Sequence, residues 1–205
     1  MKKRDIVRKA QTKPMPEAAP AVPTQRQGRV ALACIIILAS IANGWGLWQH
    51  GHTDPYFATA VQSMLTSWHN FFFVAFDPAG FISVDKPPLG LWLQAALARL
   101  LGFSDLSLVL PQALAGVLSV ALLYHLVQRP YGEIAGLGAA LALAITPICV
   151  ATNRSNATDS LVMLSALAGA WGVRVAAERG KLRPLLLCAL ALGLGFNVKV
   201  LQPLP

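Results

Sequence analysis

The sequence predicts an all-α integral membrane protein with about five transmembrane helices and two interfacial amphipathic helices in the first outer loop. Three observations carry that expectation. First, 55% of the 205 residues are hydrophobic and 13% are charged, where soluble domains carry about a quarter, and the mean hydropathy is +0.55. Second, apolar stretches recur at lengths near the roughly 20 residues that a helix needs to cross about 30 Å of hydrocarbon. Third, basic residues gather where alternate ends of those stretches would lie.

Residues 1–29 start basic and pass into "TKPMPEAAPAVPTQRQG". This run is too polar and too broken by proline to pack a core, so it reads as a disordered cytoplasmic tail. The first span is expected over residues 30–48. Small residues in "LASIANG" also fit a signal peptide, but the basic region before the span is long for one, which favours an uncleaved anchor.

The longest connection, residues 49–105, follows. In "DPYFATAVQSMLTSW" the residues Phe57, Ala60, Val61, Met64, Leu65 and Trp68 keep the spacing of an amphipathic helix. Asp54 before Pro55 is a good start for it, an acceptor followed by a ring that needs no N–H. A second helix is expected in "KPPLGLWLQAALARLLG", opened by Pro87 and Pro88 and ended by Gly102. Both are shorter than a span and rich in aromatics, as helices lying along a membrane interface are. Further spans are expected over residues 106–127, 134–150, 159–177 and 184–200, joined by short turns.

If the spans alternate, thirteen of the 17 basic residues fall on one side: eight before the first span, then Arg129, Arg174, Arg179, Lys181 and Arg183. That asymmetry marks the cytoplasmic face. The net charge of +8 is thus a topology signal, and no nucleic-acid partner is expected. Cys34, Cys149 and Cys188 fall in separate spans and read as small apolar residues. No metal-ligand set and no cofactor are expected. His50, His52 and His69 do not have metal-site spacing.

Ionisable residues beside hydrocarbon are expensive and raise a functional question by default. Five of the nine acidic residues, Asp54, Asp77, Asp85, Asp105 and Asp159, map to the outer side, with Lys86, Arg99, Arg154 and Lys199. Some have plain structural readings. Asp105 fits a cap of the second span, Asp77 in "FDPAG" a turn, and Arg99 a side chain that snorkels to lipid headgroups; Arg174 fits the same on the cytoplasmic side. Six are harder to dismiss: Asp54, Asp85, Lys86, Arg154, Asp159 and Lys199. The proline after Lys86 pushes its backbone out of the helical region and sets it beside a helix N-terminus, a combination that suits an anion. Several cations and carboxylates at one membrane face suit a lipid-attached anionic substrate such as a phosphate ester.

At these residues the sequence resembles a known family, the membrane-embedded GT-C glycosyltransferases of the protein O-mannosyltransferase and aminoarabinose lipid A transferase type. The likeness rests on "TDPYFATAVQSM" followed by "DKPPL", on "RSNATDSLVML", and on "LGLGFNVKVLQ". It implies a donor sugar carried on a polyprenyl phosphate. The acceptor would be a lipid, glycan or protein, and transfer would invert the anomeric centre at the outer face of a bacterial cytoplasmic membrane. It implies that Asp54 resembles the loop carboxylate assigned as base or acceptor-orienting group and Asp159 a second functional acid. Lys86 resembles the lysine that binds the lipid phosphate, Asp85 a group that orients it, and Lys199 a further phosphate-side cation. Arg154 joins the phosphate-binding set on charge and position alone. Pro55 stands where the family often has a second acid. Family members continue through further spans beyond "QPLP", so the chain is expected to be the N-terminal part of a larger enzyme or a truncated product. A different class fits the same charges: a non-catalytic membrane subunit or a transporter-like protein that binds lipid headgroups or solute.

Overall fold

The structure, a computed structural model, describes residues 25–47 and 53–200. The tail before residue 25, His50 and His52 lie outside the described residues. Nine helices are described: α1 (Gln25–Gly44), α2 (Pro55–Met64), α3 (Trp68–Phe73), α4 (Pro88–Leu101), α5 (Asp105–Tyr131), α6 (Glu133–Ile145), α7 (Pro147–Asn153), α8 (Asp159–Arg179) and α9 (Arg183–Val198). The all-α class is as expected, and the only β pairing among the described residues is an isolated bridge between Ala75 and Ser83.

Three to four of the expected spans stand out by length and composition. Among the described residues, α1, α5 and α8 are long and apolar enough to cross a membrane, and α6 with α7 makes a fourth only if taken as one bent span. The expected straight span over residues 134–150 is broken by 61° between α6 and α7. Pro147 opens α7 and Thr146 before it is extended, with φ −65° and ψ 116°, because a proline ring disfavours helical backbone in the residue ahead of it and removes an N–H from the ladder. The expected last span is the 16-residue α9, about 24 Å long at 1.5 Å per residue. It stops where Lys199 turns extended, at φ −154°.

The first amphipathic helix is also shorter than its periodicity suggests. Ser67 caps a new helix, its side chain accepting from the Asn70 N–H at 3.0 Å. The α2 helix therefore ends at Met64 and Trp68 starts α3, with 77% of its surface exposed. Beyond α3 the chain makes a tight turn in which Asp77 accepts from the N–H groups of Phe81 and Ile82, the turn role expected of it. Gly80 has φ +80°, and a Cβ there would come within 2.9 Å of the Asn70 side-chain oxygen. Glycine is needed on both counts. The turn delivers Asp85 and Lys86 to the start of α4, where Pro87 is the cap and Pro88 the first helical residue.

The two larger apolar cores among the described residues hold the assembly. Ala60, Val61 and Met64 of α2 pack with Leu91, Ala95 and Ala98 of α4 and Leu108 of α5, so the two short helices are seated on the start of a span. Ile35 and Ala39 of α1, Val120 and Tyr124 of α5, and Ala140 and Ala144 of α6 form the second. Small residues set the closest approaches, as they do between membrane helices. On α8, a Cβ on Gly172 would lie 2.9 Å from the Pro184 carbonyl of α9. On α5, a Cβ on Gly116 would lie 2.1 Å from Asn153 Nδ2, which instead donates to Asn43 Oδ1 of α1 at 2.9 Å. Large apolar side chains such as Ile37, Leu118 and Leu186 point outward, as a lipid-facing surface requires.

The end of α1, the start of α5, the start of α8 and the end of α9 gather at one end of the bundle. Thr53 Oγ1 donates to Asp105 at 3.1 Å, and Arg154 after α7 donates to the Ala42 carbonyl of α1 at 3.1 Å. Asp105 is not the cap of α5: Ser104 takes that place in a reciprocal capping box with Ser107. At the opposite end Glu178 pairs with Arg174 at 2.8 Å and Arg129 at 3.6 Å. Arg174 is thus tied to its own helix and only 17% exposed, rather than extended to lipid headgroups.

Candidate active site

The expected site residues fall into three groups at the first of those ends. Asp54 caps α2 and accepts from the Tyr56 N–H at 2.9 Å. Its backbone is held from across the fold by Asn156, whose Oδ1 accepts from the Asp54 N–H at 2.7 Å and whose Nδ2 donates to the Asp54 carbonyl at 3.2 Å. Gln94 of α4 in turn donates to the Asn156 carbonyl at 2.7 Å. Asn156 and Gln94 are both 0% exposed, while the Asp54 side chain stands at the surface. Sequence reasoning missed Asn156 and Gln94. Gln94 showed only as an uncharged amide among apolar residues, and Asn156, in "RSNATDS", as the start of a formal N-x-[ST] match beside stronger charges.

The second group is built on Asp85. Lys86 Nζ donates to Asp85 Oδ2 at 2.7 Å, and the Tyr56 hydroxyl donates to Oδ1 at 2.9 Å. The lysine first, then the tyrosine, hold the Asp85 carboxyl below the usual carboxylate range. The carboxylate holds the Lys86 ammonium above the usual lysine value. Burial first, and then Asp85, push the Tyr56 hydroxyl up, so it stays protonated and donates. Tyr56 also stacks on Phe76 with centroids 5.1 Å apart. Being two residues from Asp54, it joins the first group to the second. No side chain caps the N-terminus of α4, and because Pro87 and Pro88 have no N–H, its first backbone donors are those of Leu89 and Gly90.

The third group is Asp159 at the start of α8 and Lys199 at the end of α9, paired at 2.5 Å and each about one-third exposed. Residues 40 apart in sequence thus meet because α8 and α9 form an antiparallel pair.

The α4 helix binds the groups together. A Cβ on Gly90, in its first turn, would lie 2.4 Å from Thr158 Cγ2 and 3.6 Å from Val198 Cγ1. These are the neighbours of Asp159 and Lys199. One turn on, Gln94 fixes the segment that holds Asp54. Below this junction an apolar slot of about 260 Å³ runs between α4, α8 and α9, walled by Leu89, Leu93, Leu161, Leu164, Leu194 and Val198. It begins one residue from Lys199. Arg154 is placed differently: it lies over the C-terminal carbonyls of α1, where a cation also complements the helix dipole. Among the described residues no three His, Cys, Asp or Glu side chains are grouped to hold a metal ion.

Residues 85–204 match the family described as "Dolichyl-phosphate-mannose-protein mannosyltransferase". The chain belongs to this family. The matched stretch of this chain includes Asp85, Lys86, Gln94, Arg154, Asn156, Asp159 and Lys199. Over 172 residues the chain is 44% identical to a Bacillus subtilis (strain 168) protein named "Putative mannosyltransferase YycA". Over 178 residues it is 40% identical to a second protein of that organism, "Putative mannosyltransferase YkcB". These stretches cover 84% and 87% of this chain but 25% of each relative, so the mannosyltransferase-family chain spans about a quarter of their length. No solved structure matches. The GT-C family expected from the motifs is thus the one found.

Proposed function

We propose that this region is part of a glycosyltransferase that takes a sugar from a polyprenyl-phosphate carrier and passes it to an acceptor hydroxyl or phosphate at the outer face of a bacterial cytoplasmic membrane. The observation that supports it best is the Asp159–Lys199 pair one residue from an apolar slot whose α4 wall begins at Leu89, three residues after the Asp85–Lys86 pair. A phosphate attached to a long hydrocarbon chain matches that combination: anion against cations, chain against leucines.

In this reading Lys86 and Lys199 exchange their carboxylates for the donor phosphate. Asp85 and Asp159 keep the lysines oriented before substrate arrives. Asp54, its backbone clamped by Asn156, accepts the proton of the acceptor. The acceptor oxygen then bonds to the anomeric carbon as the bond from that carbon to the phosphate oxygen breaks. The phosphate leaves with the electron pair, and attack from the opposite face inverts the centre. Preorganised cations suit the charge that develops on the leaving group, which is often the largest catalytic contribution. A carboxylate in hydrogen-bond reach of the acceptor adds general-base assistance.

The test is transfer of radiolabelled mannose from polyprenyl-phosphate mannose in membranes that express the protein, comparing wild type with Asp54→Asn. A loss of about 100-fold or more is expected. Unchanged transfer would remove Asp54 from the mechanism. Absence of transfer in the wild type as well would show that this region does not transfer sugar by itself, as a non-catalytic subunit or an inactive part of a longer enzyme would not.

A further inference from the structure

A second groove lies away from these groups, between the α2–α3 corner and the C-terminal half of α4. Its volume is about 290 Å³, and Met64, Trp68, Phe71, Ala95, Ala96 and Leu100 wall it. One charged side chain, Arg99, stands at its edge. Arg99 is exposed and pairs with no carboxylate among the described residues, unlike Lys86 and Lys199. It lies eleven residues beyond Pro88 on α4, roughly 17 Å along the helix, so this groove is not the slot that opens at Lys199. Its wall is fixed: Trp92 Nε1 donates to the Phe71 carbonyl at 2.8 Å, tying α3 to α4. Its rim is apolar, with Trp68 77% and Leu100 79% exposed.

A nearly apolar groove offers nothing to a sugar or another water-soluble ligand. A lone arginine at its edge offers nothing to a neutral hydrocarbon. The two together fit an amphiphile with a negative head, the guanidinium forking onto phosphate oxygens while the chain follows the leucine, methionine and aromatic wall. Short aromatic-rich helices seated on membrane spans place such a groove at headgroup depth. We propose that the groove binds one acyl chain of an anionic phospholipid whose phosphate rests on Arg99, and that this lipid seats the α2–α4 unit on the membrane. The inference needs only the membrane helices and does not depend on sugar transfer.

Tryptophan fluorescence tests it directly. The chain is reconstituted in phosphatidylcholine vesicles containing a minority of phosphatidylglycerol, with brominated acyl chains placed on one lipid or the other. The Trp68 signal is read as the difference between wild type and Trp68→Phe. Brominated phosphatidylglycerol is expected to quench that signal several-fold more than brominated phosphatidylcholine at equal mole fraction. Arg99→Gln should abolish the preference, and Ala96→Phe, at an exposed position within the groove, should abolish the quenching while circular dichroism stays helical. Equal quenching by the two lipids, a preference that survives Arg99→Gln, or no quenching by either lipid would overturn the proposal. Displacement of the quencher by polyprenyl monophosphate and not by unlabelled phosphatidylglycerol would also overturn it, assigning the groove to the donor instead.

Discussion

Asn156 holds Asp54 by both of its backbone groups, accepting from its N–H at 2.7 Å and donating to its carbonyl at 3.2 Å across 102 residues of sequence. A side-chain amide used this way acts like a short piece of β-ladder, fixing the Asp54 backbone while leaving its carboxylate exposed. Because Gln94 anchors Asn156 to α4, the helix that starts beside Lys86 also determines where Asp54 stands.

Replacing Asn156 with alanine removes both bonds and leaves the Asp54 backbone groups to find water. Such a loss costs about 1–3 kcal/mol when the groups stay buried. The expected result is a protein that still inserts in membranes but transfers sugar roughly 10- to 100-fold more slowly, a 1.4 kcal/mol rise in barrier being tenfold. Asn156→Asp keeps an acceptor for the Asp54 N–H but buries a carboxylate against the Asp54 carbonyl, so it should be at least as damaging as alanine. Initial rates in membranes normalised to protein content check the order.

Gly90 is the point at which α4, α8 and α9 meet. Gly90→Ala should destabilise the protein by about 1–3 kcal/mol through overpacking against Thr158. Removing the obstructing methyl in Thr158→Ser should recover much of that loss. A double-mutant cycle in thermal melts of the detergent-solubilised protein reads the coupling, and simple additivity would show that the two residues do not interfere.

The Asp85–Lys86 pair sets a pH window by direction. Asp85 is held below the ordinary carboxylate value, so the stability it contributes is present above that value and is lost only as pH falls through its lower folded value. Lys86 is held above the ordinary lysine value, so its contribution is present below that value and is lost only as pH rises through its higher folded value. Between these limits the pair stays charged, and a carbon-13 titration of the Asp85 carboxyl in micelles should be flat through neutrality. In Lys86→Met the titration should move back up toward the ordinary carboxylate range. The pair is exposed, so its effect on stability should be small.

Much of the fold was legible because apolar length and proline placement act locally. Pro88 opened α4 where expected, and Gly102 closed it. Events that depend on a single competing side chain were not legible. The apolar periodicity ran through Ser67, yet its hydroxyl captured the Asn70 N–H and split the helix. Residues 134–150 were apolar throughout, so composition gave no sign of the bend at Pro147 although the proline itself was in view. In the site, charge was easy to see and its partners were not. Spacing alone could not show that Lys199 would meet Asp159 or that Tyr56 would bridge to Asp85, since both contacts arise from how helices pack.

The central claim is that Lys86 and Lys199 hold the phosphate of a lipid carrier, and its most direct test is binding of polyprenyl monophosphate to the solubilised protein by native mass spectrometry. Wild type should retain the lipid, Lys86→Gln and Lys199→Gln should each lose at least about tenfold in affinity, as expected when a charge-assisted contact is removed, and Arg99→Gln should bind like wild type. Equal retention by wild type and both lysine variants would contradict the account.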